Sequence, residues 1–381
     1  MTRHRDIANA RAWIALIHAG VAVSALRAAL EEAGSAAAAL DLPDARWQAL
    51  GAKADTLARL RNDPPPAHCL AWLEVDRHHL LGWDDPDYPA LLRRFPSPPA
   101  ALFVEGDADL LWHPQVAVVG SRNASAGGID NARDFSRALA ASGLVVTSGM
   151  AEGIDAAAHA AALDAGVPTV AVVGTGTDVA YPRSHARLAA RIRAHGALVS
   201  EFLPGTPARR EHFPMRNRII AGLALGTLVI EAADRSGALI TARLAGEAGR
   251  EVFAVPGSIH NPLARGCHRL IRQGAALVED AREVIAALGP VAAELADGLR
   301  ARLADATVAA ASTAGTDSAA ANAATDDPDH ARVLAALGHD PVAIDTLVAR
   351  TGLTVPQLSS ILLLMELQGR VSAAHGRYAR R

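Results

Sequence analysis

The chain has 381 residues, of which 50% are apolar, 4% aromatic and 20% charged, and its formal net charge at pH 7 is −3. This length and apolar content suit a globular protein of two or three domains. The two cysteines, Cys69 and Cys267, are too few for a disulfide framework and form no zinc motif, and the scarce aromatics argue against a broad platform for stacking bases. We expect a cytoplasmic protein without membrane contact, because no signal-like segment opens the chain and no uncharged run could span a bilayer.

The first 65 residues predict a small helical domain. Apolar residues recur at helical spacing between 10 and 60, for example at Trp13, Leu16 and Ile17. The prolines at 64–66 break this pattern. Prolines then recur up to residue 99, so we interpret 66–110 as a proline-rich connector that tethers the helices to the next domain.

Residues 111–289 predict a doubly wound α/β domain. Short apolar runs alternate with stretches of helical periodicity, and each run is uniformly apolar, which is typical of parallel strands covered on both faces. The predicted strands are 116–120, 144–147, 169–173, 197–199, 227–230, 252–255 and 276–278. Ligands of such sheets bind at the carboxyl ends of the strands, so the loops that follow the strands are the place to look for a site.

The remaining chain predicts a linker and a small basic module. Residues 290–330 are mostly Ala, Ser, Thr and Asp, which favours a flexible linker. Residues 331–381 fit three helices, at 331–338, 342–351 and 355–368, followed by a hairpin. That arrangement is a winged helix, a module that reads DNA in some proteins and docks onto proteins in others.

The most informative loop follows the first predicted strand, at Gly120-Ser121-Arg122. We expect a helix to begin near Arg122, and the free N–H groups of a helix start favour phosphate. The guanidinium of Arg122 adds a planar fork of donors that fits phosphate oxygens. Arg122 also replaces the second glycine of the dinucleotide fingerprint, which argues against a dinucleotide site. The alternative is an ordinary turn with a solvated arginine.

Four further polar clusters follow predicted strands, at 148–155, 174–183, 213–218 and 234–237. The glycine turn before Asp155 predicts a second anion cradle at a helix start, and Tyr181 is placed to stack on a base. The stretch from Phe213 to Arg218 is the densest nucleic-acid-like set in the chain. Because all these loops begin at one edge of the sheet, we expect them to share a site.

Asp155 and His159 lie four residues apart on one predicted helix face. An acid–base or metal pair is one interpretation, and a helix-capping carboxylate with a hydrogen-bonded histidine is the other, which we favour. No catalytic motif is recognisable in the sequence, and Asp178, Glu201 and Glu231 are the acids that a hydrolase would have available.

The central domain resembles the DprA/Smf family, the DNA-processing proteins of bacterial natural transformation. The matching stretches lie in order between 116 and 280: Gly120-Ser121-Arg122, Ser148-Gly149 through Gly153-Ile154-Asp155 with His159, Gly174-Thr175-Gly176 with Asp178 and Tyr181-Pro182, Ser200-Glu201, Phe213-Pro214 with Arg216-Asn217-Arg218, Glu231-Ala232 with Ser236-Gly237, Thr241-Ala242, Gly249-Arg250 and Pro256-Gly257. The flanks agree with the family too, since relatives often carry a small helical N-terminal domain, of the SAM or helix-hairpin-helix kind, and a C-terminal winged helix.

The resemblance implies a protein that is not an enzyme and uses no cofactor or metal. Its implied role is to bind single-stranded DNA, protect incoming strands and load the RecA recombinase, as a homodimer formed through the Rossmann-like domain. It implies DNA or phosphate contacts at Gly120, Ser121, Arg122, Gly149, Gly153, Gly174, Gly176, Arg183, Phe213, Arg216, Asn217 and Arg218.

Three residues depart from the family pattern. His185 and His268 stand where relatives often have Asn, and Arg183 stands where many have Lys. All three keep a hydrogen-bonding group or the charge, so we expect tuning of the site rather than its loss.

A nucleotide-processing hydrolase of the related phosphoribohydrolase-like superfamily is the alternative function. That group usually bears P-G-G-x-G-T-x-x-E, and Gly174-Thr175-Gly176 lacks the following glutamate. A pure scaffold that docks through its winged helix is a third hypothesis.

Overall fold

The computed structural model describes residues 7–295 and, further on, 332–333, 336–337, 342–354, 358, 361–362, 365, 371–374 and 377–380. It divides into two compact units, Met1–Ala309 and Ala310–Arg381. Of the predicted linker 290–330, residues 290–295 continue a helix, which corrects that part of the prediction, and the rest lies outside the described residues.

The first unit begins with the short helices that the apolar spacing predicts. They are α1 Ile7–Ala19, α2 Val23–Ala33, α3 Ala36–Leu40, α4 Asp44–Ala49, α5 Ala54–Asn62 and α6 Ala67–Glu74. The apolar faces of the first five meet in a core that contains Trp13, Leu26 and Trp47, all fully buried.

The segment predicted as a connector, 66–110, is instead largely structured. It contains α6, the strands β1 (His78–Gly82) and β2 (Ala101–Gly106), and the one-turn helix α7 (Ala90–Arg93). The prolines lie between the strands rather than inside them, while residues 101–104 are apolar and buried, so β2 can pair on both sides.

Nine strands form one sheet in the order β1-β2-β6-β5-β4-β3-β7-β8-β9. The strands that follow β2 are β3 Gln115–Val119, β4 Val145–Ser148, β5 Thr169–Val172, β6 Ala197–Ser200, β7 Gly226–Val229, β8 Glu251–Ala254 and β9 Ala276–Leu277. β3 to β9 are parallel, and β2 alone runs in the opposite direction, pairing antiparallel with both β1 and β6. The predicted doubly wound, mostly parallel sheet is confirmed.

Helices cover both faces of this sheet. They are α8 Ala126–Ala141, α9 Ile154–Asp164, α10 Ala186–His195, α11 His212–Leu223, α12 Ala238–Glu247, α13 Arg265–Arg272 and α14 at 281–295. In β3, Val116 and Val118 face the core beneath α8, α9 and α14, while Ala117 and Val119 face the core beneath α11 and α12. The chain leaves β3 toward β4 on one side and later returns to β7 on the other, which opens a crevice at the carboxyl ends of β3 and β7.

A buried carboxylate on β2 ties the antiparallel strands to the parallel ones. Glu105 is 4% exposed. It accepts hydrogen bonds from Trp72 Nε1 at 2.8 Å and Thr177 Oγ1 at 2.9 Å, and it forms an ion pair with Arg193 of α10. The carboxylate thus joins α6, the loop after β5, and α10.

The described part of the second unit is consistent with the predicted winged helix. Strands β10 (Val342–Ala343), β11 (Val371–Ala374) and β12 (Arg377–Arg380) form a sheet in the order β10-β12-β11, and helix α15 spans Ile344–Thr351. The predicted second helix therefore begins two residues late, because 342–343 pair with β12. Leu358, Leu362 and Met365 of the predicted third helix are helical and fully buried.

Candidate nucleic-acid interface

A pocket of about 720 Å³ lies at the carboxyl end of the sheet, in the crevice between β3 and β7. It is formed by the loops after these two strands and by the first turns of α11 and α12. The residues that line it include six that the sequence predicts to contact DNA and several others: Gly120, Ser121, Arg122, Asn123, Ala151, Asp155, Tyr181, Arg210, Phe213, Arg216, Asn217, Arg235, Ser236 and Gly237.

Close backbone contacts fix the turn after β3. A Cβ on Gly120 would fall 2.5 Å from Ile154 Cγ1, and one on Gly153 would fall 2.3 Å from the carbonyl oxygen of Ser121. Gly153 also has a φ of +77°, which favours glycine. The amide of Ile154 donates to Ser121 O at 3.2 Å. The loops after β3 and β4 are therefore joined through their backbones, and Arg122 projects from the junction.

A carboxylate of the protein itself lies near each helix start that the sequence predicts to cradle phosphate. Helix α8 begins at Ala126 rather than near Arg122, and Glu231 accepts hydrogen bonds from Ser125 N at 2.9 Å and Ser125 Oγ at 2.6 Å. At the start of α9, Asp155 Oδ2 accepts from Gly149 N and Ala151 N. The predicted helix start near Arg122 is therefore wrong, and a side-chain carboxylate lies next to each predicted anion cradle.

Arg216 forms the floor of the pocket. Its side chain is 5% exposed, Nη1 donates to the carbonyl oxygen of Val172 at 3.2 Å, and Nε has no partner among the described residues. Burial lowers the pKa of Arg216 to about 10, although the nearby carboxylate of Asp155 acts in the opposite direction. Burial raises the pKa of Asp155, and Arg216 offsets part of that effect. The two groups form a buried pair of opposite charges under the pocket.

An aromatic pair borders the pocket beside Arg122. The rings of Tyr181 and Phe213 are 5.3 Å apart, and the guanidinium carbon of Arg122 lies 5.5 Å from the centroid of Phe213. Tyr181 is 46% exposed. Such a ring surface next to a cation offers both a stacking face and a charge.

The pocket has an excess of uncompensated positive charge. Arg122, Arg210 and Arg235 line it, are exposed, and make no side-chain hydrogen bond or ion pair to any residue that the structure describes. Asp155 is the single acid in its lining. From the sequence, Arg235 was placed in the polar cluster at 234–237 but was not predicted to contact DNA. Arg210 was missed, because it lies in no recognisable motif.

Several residues predicted to contact DNA lie outside the pocket. Arg218 faces away and forms a bidentate ion pair with Glu201, with both nitrogen–oxygen distances at 2.6 Å. Arg183 is exposed in the turn before α10. Gly149 and Gly174 lie beneath Arg216 and Phe213, where a Cβ would fall 1.4 Å and 3.2 Å from those side chains, and a Cβ on Gly176 would meet Asp178 Oδ1 at 2.5 Å. These three glycines make room for neighbouring groups rather than lining the site.

The acids available for hydrolysis are all engaged in structural contacts. Glu201 pairs with Arg218, Glu231 holds Ser125 and Asn261, and Asp178 accepts from the amide of Gly205. Across the described residues, no three His, Cys, Asp or Glu side chains are grouped to hold a metal ion.

The favoured interpretation is confirmed for His159, whose Nδ1 lies 2.8 Å from Thr169 Oγ1 in the core. It is wrong for Asp155, which accepts from the loop amides of Gly149 and Ala151 and does not cap α9; the N-cap residue of α9, Gly153, has no side-chain cap. His185 and His268, which depart from the family pattern, also keep a hydrogen-bonding role. His185 Nδ1 lies 3.1 Å from Met150 O, and His268 Nε2 lies 3.0 Å from Gly257 O.

The fold and the site together define a Rossmann-like α/β protein with an arginine-rich pocket at the switch point of its sheet. Comparison with known families identifies it further. Residues 79–289 match the family described as DNA recombination-mediator protein A, and residues 317–377 match the DprA winged helix domain. The chain belongs to the DNA recombination-mediator protein A family, and the resemblance to DprA/Smf proteins is confirmed.

Individual relatives agree with this assignment. The chain is 43% identical over 318 residues to Protein Smf of Escherichia coli, which covers 82% of this chain and 79% of the relative. It is 48% identical over 202 residues to DNA processing protein DprA of Streptococcus pneumoniae, covering 53% and 71%.

Two solved structures are also similar. The X-ray structure of the Streptococcus pneumoniae protein has a TM-score of 0.65 at 39% identity and covers 71% of this chain and 95% of that one. DNA processing protein A from Helicobacter pylori, described for its single-stranded DNA binding mode, has a TM-score of 0.51 at 26% identity and covers 56% and 95%. No helix among the described residues is both long enough and apolar enough to cross a membrane.

Proposed function

We propose that this chain is a cytoplasmic, non-catalytic protein that binds single-stranded DNA in the pocket between β3 and β7. By doing so it protects incoming strands and loads the RecA recombinase during transformation and recombination. The observation that carries the proposal is that three arginines without an ion pair line the same pocket as the Tyr181 and Phe213 rings. The Helicobacter pylori relative, which is described as binding single-stranded DNA, supports it.

The two kinds of group in the pocket match the two parts of a nucleotide. Phosphates are bound by exposed arginines, which supply charge and a fork of donors. Unpaired bases stack on aromatic rings, and a cation above the ring adds to that attraction. In a duplex the bases are paired and stacked on each other, so their faces are not accessible to the Phe213 ring. In a single strand a base can leave the stack and lie against the ring. The pocket therefore favours single strands over duplex.

A titration with single- and double-stranded oligonucleotides at two salt concentrations tests this function. Arg122→Ala should weaken binding of the single strand and reduce the slope of log K against log salt by about 0.7, the value for one phosphate contact. Arg137→Ala is the matched control, because Arg137 is exposed on α8 but paired with Asp134. Unchanged binding by Arg122→Ala would overturn the proposed site.

The steps beyond binding have their own test. We propose that the chain acts as a homodimer and that the winged helix, 331–381, serves as a docking piece. Deletion of 331–381 should leave oligonucleotide binding intact and abolish stimulation of RecA filament formation on coated DNA. Full stimulation by the shortened chain would exclude the winged helix from this step.

A further inference from the structure

The arginines of the central domain fall into two groups according to whether they have a partner. Most of those on the helix flanks are paired, as Arg191 is with Asp164 and Arg243 with Glu247. Arg272, at the end of α13, is exposed and makes no side-chain hydrogen bond or ion pair to a described residue. Those in the segments that follow the carboxyl ends of the strands are exposed and make no side-chain hydrogen bond or ion pair to a described residue. They are Arg122, Arg183, Arg187, Arg209, Arg210, Arg235 and Arg265.

The sheet order places these unpaired arginines along one edge on both sides of the pocket. Arg183 and Arg187 follow β5, which lies two strands from β3 on one side. Arg265 follows β8, which lies two strands from β3 on the other side. At roughly 4.8 Å between neighbouring strands, the arginines from β5 to β8 span about 19 Å, with the pocket near the middle.

Resting on the proposed function, we infer that single-stranded DNA is bound along this whole edge, with Arg187 on one flank and Arg265 on the other holding phosphates outside the pocket. Both residues lie in the first turn of their helices, α10 and α13, and so close to the edge. Four exposed acids lie in loops of the same edge and are outnumbered by the unpaired arginines: Glu152, Asp178, Glu211 and Asp234. Of these, Asp234 is paired with Arg269. The other unpaired arginines at the edge bind the phosphates that lie between Arg187 and Arg265.

The chain offers a matched control for each flank residue. Arg191 lies four residues after Arg187 in α10, and Arg272 lies seven residues after Arg265 in α13, so each control is on the same helix face, about 6 Å and about 10 Å further from the edge. Both controls are exposed, and Arg191 is paired with Asp164.

The test compares thymine oligomers of about 4 and about 16 nucleotides, lengths that bracket the usual single-strand sites. The double variant Arg187→Ala/Arg265→Ala should bind the longer oligomer roughly tenfold more weakly, as expected for lost charged contacts, and bind the shorter one like the parent. Its salt slope with the longer oligomer should fall by about 1.4, or about 0.7 for each lost contact. Arg191→Ala/Arg272→Ala should leave the binding of both oligomers unchanged.

The outcomes separate this inference from the proposed function. If the flank variant binds both oligomers like the parent while Arg122→Ala weakens both, the extended path is wrong and the pocket stands. If the flank variant weakens both oligomers equally, its arginines act within the pocket and the extended path is again wrong. If Arg122→Ala has no effect either, the proposed function fails together with the inference.

Discussion

The guanidinium of Arg216 occupies the space that a side chain on Gly149 would need. A Cβ at position 149 would fall 1.4 Å from Nη1 of Arg216 and 2.2 Å from its Cζ. Arg216 cannot move away easily, because it is buried and donates to Val172 O from inside the fold. The glycine turn after β4 is thus required by an arginine on α11.

Gly149→Ala should therefore lower the free energy of unfolding by roughly 1–3 kcal/mol, the usual effect of overpacking, and weaken DNA binding by displacing Arg216. Gly246→Ala is the control, because Gly246 is exposed in α12 and its nearest neighbour would be 3.9 Å away. Denaturant unfolding measures both. Equal stability of Gly149→Ala and the parent would show that Arg216 relocates freely.

Two adjacent glycines on α8 should respond oppositely to alanine. A Cβ on Gly128 would fall 2.4 Å from Glu231 Oε2, whereas one on Gly127 would meet only Ser125 Oγ at 4.0 Å. Gly127→Ala should raise the free energy of unfolding by about 0.5–1 kcal/mol, the ordinary gain within a helix. Gly128→Ala should lower it, because Glu231 must leave Ser125. Stabilisation by both substitutions would contradict the tight packing of Glu231.

Phe213→Ala should weaken binding of single-stranded DNA by about 1–3 kcal/mol, the value for one lost stacking contact. Met215→Ala is the matched control, because Met215 is 45% exposed in the same turn of α11 and does not line the pocket. Fluorescence anisotropy with a labelled oligonucleotide gives both affinities. A larger loss for Met215→Ala would move the stacking surface away from Phe213.

Arg218→Ala should destabilise the fold while sparing DNA binding. The substitution leaves Glu201, whose side chain is 12% exposed, without its bidentate partner, and we expect a loss of roughly 1–3 kcal/mol in unfolding free energy. Thermal unfolding and an oligonucleotide titration at a temperature where the variant is folded separate the two effects. A drop in salt slope equal to that of Arg122→Ala would instead place Arg218 on the DNA.

Stability should fall in mild acid because of His159. Burial, with smaller contributions from Arg216 and His185, lowers the pKa of His159 from 6.5 to about 3. Between these values the unfolded chain binds the proton and the folded chain does not, so acidification favours unfolding. From pH 7 to pH 5 this amounts to about 2 kcal/mol.

Asp155 acts in the opposite direction, since its pKa is raised by burial, so the parent alone does not isolate His159. The difference in unfolding free energy between the parent and His159→Gln removes the contribution of Asp155. This difference should shrink as the pH falls from 7 to 5. A difference that is independent of pH would show that His159 titrates normally in the folded state.

The strands of the parallel sheet are predictable because their signal is local. Each of β3 to β9 lies within about a residue or two of its predicted apolar run, and β3 to β7 are buried along their whole length, as expected for strands covered on both faces. β1 and β2 were missed because the many prolines of 66–110 suggested a connector without strands. The run at 101–104 was the available signal, and its partner β6 is almost a hundred residues away in sequence.

The limits of the site prediction have a simple geometric cause. Arg216 and Arg218 are two residues apart on α11, which turns them about 200° from each other, so only one can face the pocket. Helical phase alone could have separated them. The hydrogen bonds from Ser125, the N-cap residue of α8, to Glu231 were not predictable, because Glu231 reaches α8 from beyond the carboxyl end of β7.

The antiparallel strand β2 determines where a fragment that contains the central domain can begin. A fragment trimmed to 111–289 would leave β6 as a bare border with unsatisfied amides, a template for fibrils and other self-association. It would also remove Glu105, the partner of Thr177 and Arg193. The loop after β5, which contains both Thr177 and Tyr181, would then lose the contact that holds it to β2. A well-behaved fragment must therefore begin ahead of His78.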